Sequence, residues 1–272
     1  MNKQQLIPLM ICIPFCQMSV QAISFNVFKK RETELVKEEN IQVPAKSQII
    51  LSNIRGSYTI KPWDQKKISL EALKTGTAEQ VTSTTIKSKV SGKEVTISTT
   101  ASESESAATV EYTLRVPDDA SVKIVQTHGP VTINGIEGDI DISLEEGHID
   151  IKGSTKMVIA KTGKGNITVR QRKLTDLNSI FLQAHKGNIT LFLPRETRAT
   201  LHANVGRGVI SSDHPVTMTL TTKLDKTCWD RLKKEVNGIL GTFKDSDELV
   251  QMQASAPITL EATVGNIHIQ ES

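Results

Sequence analysis

The sequence predicts an all-β protein: a single-stranded β-solenoid or β-helix-like stack of short strands, with one short helical insertion near the C-terminus. A short Gly-x-Ile-x-Ile unit recurs along the chain, which is typical of repeat architectures. Aromatic residues make up only 4% of the chain, whereas Thr, Ser, Ile and Val alternate in short runs that favour strands. The units also recur at regular spacing, and such spacing indicates stacked coils.

Each repeat unit has a physical interpretation. The glycine permits a backbone bend with positive φ or a close approach of neighbouring backbones. The apolar residues at the second and fourth places after it point to one face of a strand, and the residues between them point outward. So short a strand buries its apolar face only when copies stack. The predicted structural repeat glycines are Gly56, Gly129, Gly138, Gly147, Gly165, Gly187, Gly208 and Gly265.

The spacing of the glycines sets the length of a coil. Gly129, Gly138 and Gly147 are nine residues apart, and Gly165 follows Gly147 by eighteen. We therefore interpret nine residues as half a coil and roughly eighteen to twenty-two as a full turn. This predicts one stacked column formed by Gly147, Gly165, Gly187 and Gly208, and one inward aliphatic column formed by Ile149, Ile167 and Ile189.

The N-terminus has the pattern of a secretory signal peptide over residues 1–22. A polar, positive start is followed by a mostly apolar run at 6–15, and small residues precede a cleavage point after Ala22. The run is too short to cross a membrane. We expect an exported protein with the signal cleaved, located in the periplasm, secreted or on the cell surface, with no transmembrane segment in the mature chain.

Beyond the signal the chain divides into two β-rich parts. Residues 23–117 form the N-terminal part of the solenoid, and residues 118–272 form the regular coils. Within the second part, at about 225–243, apolar residues including Trp229 and Leu232 recur at helical spacing. This insert is expected to cover the side or an end of the solenoid, with docking of a partner as the alternative.

Only one cysteine belongs to the mature chain. Cys12 and Cys16 are removed with the signal, which leaves Cys228 and excludes a disulfide framework. Cys228 is expected to be a small buried apolar side chain, and the alternative is a link between two copies.

The order of these elements resembles the bacterial putative-adhesin family of exported or cell-envelope β-solenoids. The resemblance covers most of the mature chain. It rests on residues 53–64, on the run 110–117, on the paired Gly-x-Ile-x-Ile units, on 191–194 and on the closing segment 263–269. It implies a solenoid fold and an adhesin-like role, and it carries no catalytic residues. The helical insert and the weak unit at Gly208 depart from the usual pattern.

The strongest candidates for catalysis are three carboxylates and a histidine: Asp139, Asp141, Asp150 and His148. Paired carboxylates can perform general acid–base chemistry on glycans. If nine residues are half a coil, however, Asp141 and Asp150 lie on different faces, and all four are expected to be outward polar residues.

No cofactor or metal is expected. The repeat lacks the regular aspartates of calcium-binding nonapeptide solenoids. None of the six histidines pairs with another at ligand spacing on a helix or hairpin. They are His128, His148, His185, His202, His214 and His268.

The predicted function is a non-enzymatic, adhesin-like binding or structural module. The expected partner is an envelope, glycan or host surface component, and self-association is possible through the single thiol or the ends of the stack. The net charge of +3 is nearly balanced and gives no reason to expect nucleic acid. Two alternatives remain: a solenoid that polymerises end to end, and a carbohydrate-active enzyme on a β-helix, which would need aromatic platforms such as Trp63 and Trp229.

Overall fold

The computed structural model describes residues 32–102, 107–174, 179–195, 199–213, 217–220 and 256–271, which all belong to one compact unit. The predicted signal at 1–22, the helical insert at 225–243, His214, Cys228 and Trp229 lie outside the described residues. In the described part no helix is long and apolar enough to span a bilayer.

The described chain is built from β-strands and one short helix. The elements in order are β1 (Glu32–Gln42), β2 (Gln48–Trp63), β3 (Lys67–Gly76), α1 (Ala78–Ser83), β4 (Thr85–Ser91), β5 (Glu94–Thr100), β6 (Thr109–Pro117), β7 (Ser121–His128), β8 (Val131–Asn134), β9 (Ile140–Glu146), β10 (Ile149–Ser154), β11 (Val158–Lys164), β12 (Ile167–Gln171), β13 (Ile180–Lys186), β14 (Ile189–Leu193), β15 (Ala199–Arg207), β16 (Ile210–Ser212), β17 (Thr217–Leu220), β18 (Ala256–Val264) and β19 (Ile267–Glu271). The predicted all-β solenoid is confirmed.

The coils form two parallel faces. Face A contains, in spatial order, β2, β8, β10, β12, β14, β19 and β16. Face B contains β2, β7, β9, β11, β13, β18, β15 and β17. Strand β2 is long enough to serve both faces, since its first half pairs with β7 and its second half with β8. Each coil therefore adds one strand to each face.

The core lies between the two faces and consists of stacked aliphatic columns. Ile149 pairs with Ile167, and Ile167 pairs with Ile189, as the spacing predicts. All three are buried. Ile267 extends this column in the next coil. Burying one such side chain contributes roughly 1.5–3 kcal/mol, so columns of this kind hold the coils together.

The N-terminal part is organised differently from the regular coils. Strand β3 runs antiparallel to both β1 and β6, and β4 runs antiparallel to β5. Strands β5 and β6 still pair in parallel with β2, one on each face, and the antiparallel strands β1, β3 and β4 extend the faces beyond them. The repeat pattern carries no signal for this change, because alternation of apolar and polar residues is the same in parallel and antiparallel strands.

Helix α1 is an element that the strand pattern did not predict. It begins after Thr77, whose side chain accepts from the Gln80 N–H, while the Gln80 side chain accepts from the Thr77 N–H. This reciprocal capping satisfies two donors of a helix only six residues long. Val81 is the residue it buries.

The stacking order contains one correction. Gly208 was expected to follow Gly187 directly in the glycine column. Instead Gly265 packs on Gly187, and Gly208 packs on Gly265. The coil β18–β19 is thus inserted between β13–β14 and β15–β16, although it comes last in the sequence. Local pattern did not reveal this, because each unit offers Gly187 a glycine followed at the second place by an isoleucine, Ile210 or Ile267.

Candidate binding surface

Seven of the eight predicted glycines lie in one column at the corner where the chain passes from face B to face A. Their order is Gly56, Gly129, Gly147, Gly165, Gly187, Gly265 and Gly208. At Gly165 φ is +149°, and an added Cβ would lie 1.9 Å from the carbonyl oxygen of Gly147. Gly138 lies elsewhere and packs on Ala120. The column brings the backbones of successive coils close enough that no side chain fits between them.

A row of hydrogen-bonding side chains accompanies the glycine column, and we call it the corner row: His148, Asn166, Asn188 and Asn266. The Asn166 N–H donates to Nδ1 of His148 at 3.0 Å, and the Asn188 N–H donates to Oδ1 of Asn166 at 2.9 Å. The Asn266 N–H donates to Oδ1 of Asn188 at 2.8 Å. Each coil thus binds its neighbour through a side chain.

The outward side chains of face A form a second row, the central row. It follows the strand register from Thr59 through Thr132, Asp150, Thr168, Thr190 and His268 to Ser211. Neighbouring parallel strands are about 4.8 Å apart, so short polar groups recur at that interval along the stack. At one end of the row Nδ1 of His268 lies 2.7 Å from the hydroxyl of Ser211.

A third row, the basic row, lies two residues further along β2, β10 and β12 and includes Arg115 of β6, the strand that pairs with β2. Arg115 pairs with Lys61, and Lys152 pairs with Arg170. All four of these side chains are exposed. The Arg170 guanidinium lies 3.6 Å from the ring centroid of Phe192 in the next strand, a cation–π contact that holds it in place.

The rows enclose a shallow groove of about 400 Å³ on face A. Its lining comes from β10 and β12 and their preceding corners: His148, Ile149, Asp150, Lys152, Asn166, Thr168 and Arg170. Oδ2 of Asp150 forms an ion pair of 2.9 Å with Lys152. Oδ1 of Asp150 is buried and has no hydrogen-bond partner among the described residues. The groove thus presents two cations, and the acceptor without a partner lies buried beneath its surface.

The structure separates the residues proposed for catalysis. Asp141 lies on face B, where it pairs with Lys123 at 3.2 Å, while Asp150 lies on face A. Asp139 precedes β9, and its N–H donates to the hydroxyl of Ser121. His148 belongs to the corner row. Only His148 and Asp150 line the groove, so no carboxylate dyad is formed there.

The described histidines occupy separate positions. Nδ1 of His185 lies 3.2 Å from the Thr263 hydroxyl on face B, and His202 is exposed on β15. His128 ends β7, opposite Glu146. Among the residues that the structure describes, no three His, Cys, Asp or Glu side chains are grouped as a metal site.

Face B presents a different outer surface. Ile159 pairs with Phe181 there, and Val125 is an exposed apolar residue. Charged and polar groups pair with one another, as in the 2.8 Å hydrogen bond between Gln183 and Glu261. The groove lined by Asp150, Lys152 and Arg170 therefore belongs to face A.

Comparison with known proteins gives matches only among solved structures. No protein-family model and no curated protein matches the chain. The chain is similar to a structure described as a "putative cell adhesion protein" from Clostridium sporogenes, with 14% identity over 89% of this chain and 99% of that one, at a TM-score of 0.47.

Two further structures are more distant. A "putative adhesin" from Bacteroides fragilis is 10% identical over 90% of this chain and 98% of that one, at a TM-score of 0.26. A "putative lipid binding protein" from Parabacteroides distasonis is 10% identical over 87% and 96%, at a TM-score of 0.24. The adhesin descriptions agree with the resemblance drawn from the repeat. No ligand or activity follows from likenesses this distant.

Proposed function

We propose that this protein is a non-enzymatic module of the cell envelope or cell exterior that binds an acidic polysaccharide across face A. The observation that carries the proposal is the register of the outward side chains. Because successive coils place the same kind of group in the same row, face A offers a repeated polar surface. A polymer lying along the stack would meet similar contacts at each coil, and linked contacts add by avidity.

The basic row sets the expected charge of the ligand. Lys152 and Arg170 flank the groove, and Arg115 and Lys61 continue the positive side chains toward the N-terminal end. The cation–π contact with Phe192 positions the Arg170 guanidinium. A planar guanidinium matches a carboxylate or sulfate in two-pronged geometry. An anionic group of the ligand is therefore expected between Lys152 and Arg170.

The groove also favours a ligand with hydroxyl groups. Oδ1 of Asp150 is an acceptor without a hydrogen-bond partner in the described chain, and Thr168 lines the groove beside it. A buried acceptor is stabilised when a donor reaches it. A sugar hydroxyl supplies such a donor, whereas a simple inorganic polyanion does not. A ligand with both anionic groups and hydroxyl groups is an acidic polysaccharide.

The arrangement of the carboxylates supports binding rather than catalysis. Hydrolysis of a glycosidic bond by the usual mechanism needs two carboxyl groups on either side of that bond. In the groove, Asp150 is the carboxylate, and its Oδ2 is held by Lys152. Asp141 forms an ion pair with Lys123 on face B.

Location outside the cytoplasm is part of the proposal. It is supported by the signal-peptide pattern at residues 1–22, whose cleavage is a separate prediction. A location in the envelope or outside the cell would place face A in contact with envelope or host polysaccharides.

The test measures retention of the purified chain on an immobilised polyuronate and on a neutral glucan. The variant Lys152→Gln/Arg170→Gln removes two charges from face A. The matched control, Lys161→Gln/Lys186→Gln, removes two charges from exposed positions on face B. We expect polyuronate binding that weakens with salt. The face A variant should lose about tenfold in affinity, since two charge contacts of roughly 0.7 kcal/mol each are removed.

The control should stay within about twofold of the unmodified chain. Equal losses in both variants would show that attraction is a property of net charge alone and would overturn the proposal. Equal retention on the neutral glucan would overturn the acidic ligand.

A further inference from the structure

The last coil of the chain occupies an internal place in the stack. Strand β18 lies between β13 and β15 on face B, and β19 lies between β14 and β16 on face A. Strands β15 and β16 precede this coil in sequence and lie outside it in space. The coil β18–β19 therefore lies between two coils that are consecutive in the chain. We call the position between those two coils the slot.

The inserted coil is bonded on both sides. Toward β14, the Gly187 N–H donates to the Val264 carbonyl at 2.9 Å, and the Ile189 N–H donates to the Asn266 carbonyl at 2.8 Å. Toward β16, the Ile267 N–H donates to the Val209 carbonyl at 2.9 Å. Inside the slot Ile258, Leu260, Ile267 and Ile269 are buried. The slot thus recognises this coil through both backbone and apolar contacts.

The coil that follows the slot could also stack without the insertion. Gly208 follows Gly187 by twenty-one residues, within the range of one coil. Asn188 and Asn266 present the same Oδ1 to the next coil, and Oδ1 of Asn266 accepts the Val209 N–H at 3.0 Å. With the coil withdrawn, Asn188 could accept that N–H instead. Both stacking orders therefore provide an asparagine acceptor for the Val209 N–H.

We propose that the coil β18–β19 is exchangeable between copies, so that the slot of one chain accepts residues 256–271 of a second copy. The contacts in an exchanged pair are the same as those within one chain, which is the condition under which swapping costs little. Residues 221–255 join the coil to the rest of the chain. Thirty-five residues are more than enough chain to span the few strand spacings within one stack. This proposal is independent of the ligand proposed for face A.

The test uses two neighbouring outward positions of the central row, Thr190 on β14 and His268 on β19, which are register partners across the slot. All variants carry serine at the three native cysteines. One pool carries Thr190→Cys, and the other carries His268→Cys with a size tag. The pools are mixed, incubated at high concentration, diluted and oxidised. Exchange places the two thiols of different copies side by side, and a covalent heterodimer is expected.

The matched control mixes Thr168→Cys with Thr190→Cys. These positions are also register partners on the same face, but their strands, β12 and β14, belong to consecutive coils. No heterodimer is expected from this pair. Heterodimers in both mixtures would indicate surface collision and would overturn the proposal.

Absence of a heterodimer in the slot mixture would also overturn it, provided that the double variant Thr190→Cys/His268→Cys closes its bond within one chain. If that double variant fails to close, the inserted order itself is wrong and the proposal falls with it.

A second measurement examines the other stacking order. A chain ending at residue 255 and carrying Thr190→Cys/Ser211→Cys should form an internal disulfide, because β16 would then pack directly on β14. The full chain with the same two substitutions should not, because β19 separates these strands. A bond in the full chain and none in the shortened chain would contradict the proposed exchange.

Discussion

Oδ1 of Asn188 accepts a hydrogen bond of 2.8 Å from the backbone N–H of Asn266, a residue 78 positions further along the chain. The equivalent bond from Asn188 to Asn166 spans only 22 positions. The geometry is the same at both steps, although the separations in sequence differ more than threefold. The asparagine side chain therefore specifies that a coil of this type lies next to it, without specifying which one.

The corner row predicts a measurable contribution from Asn188. Replacing Asn188 with alanine removes the acceptor for the Asn266 N–H and should lower the free energy of unfolding by about 1–2 kcal/mol. The control is Asn134→Ala, which lies on face A outside the corner row and should change it by less than about 0.5 kcal/mol. Urea unfolding followed by circular dichroism measures both. Equal effects would show that the side-chain ladder does not stabilise the stack.

The glycine column predicts a large penalty for any side chain at Gly165. The Cβ of Gly165→Ala would lie 1.9 Å from the Gly147 carbonyl oxygen, so the coils must separate. We expect a loss of about 3–5 kcal/mol in unfolding free energy.

The variant Gly92→Ala is the control that measures the cost of a side chain at positive φ without a steric clash. Gly92 has φ of +61°, but nothing lies within 4 Å of its added Cβ, so about 1 kcal/mol is expected. If thermal unfolding shows the same cost at Gly92 and Gly165, close packing of the column is not what requires glycine.

The aliphatic columns predict a contrast between neighbouring residues of β14. Ile189 is fully buried, so Ile189→Ala should cost about 3 kcal/mol through lost burial and the cavity left behind. Thr190 points outward in the central row, and Thr190→Ala should change the unfolding free energy by less than about 0.5 kcal/mol. The two variants are compared by denaturant unfolding. A larger effect at Thr190 would reverse the assignment of inside and outside.

The two tyrosines of the chain predict its behaviour at alkaline pH. Tyr58 and Tyr112 are stacked with ring centroids 5.0 Å apart. Burial raises the pKa of Tyr112 to about 12, against a lowering effect of its hydrogen bond to Thr99, and burial raises that of Tyr58 well above its usual value. Because the folded state favours the neutral phenols, the stabilisation from Tyr112 is complete below pH 10 and is lost as the pH rises from there through about 12. The stabilisation from Tyr58 is lost in the same direction.

These are the only tyrosines in the sequence, so tyrosinate absorbance reads them directly. We expect it to appear together with the loss of circular dichroism as the pH is raised. In denaturant the same absorbance should appear near pH 10. Half-ionisation near pH 10 with the fold intact would refute the burial of both phenols.

Some features of face A could be predicted from the sequence. The half-coil spacing already placed Asp141 and Asp150 on different faces. The predicted column of Ile149, Ile167 and Ile189 implies that the next residues, Asp150, Thr168 and Thr190, also align. The basic row was not predicted, because only Lys152 and Arg170 are one coil of eighteen residues apart, while Lys61 and Arg115 lie in the N-terminal part outside the regular repeat. They come together because parallel pairings place β6 beside β2 and β2 beside the first regular coil.

The sequence by itself determined the unit of this protein: a short strand, a corner glycine and a coil of about eighteen residues. It does so because inward and outward positions alternate along a strand, and because a Cβ at the corner would collide with the coil before it. Tertiary structure alone decided the order of the coils. The units at Gly208 and Gly265 both offer Gly187 a glycine with an isoleucine at the second place after it, so nearest-neighbour chemistry allows either to follow it. The choice of Gly265 depends on contacts between segments far apart in the chain, which no local pattern contains.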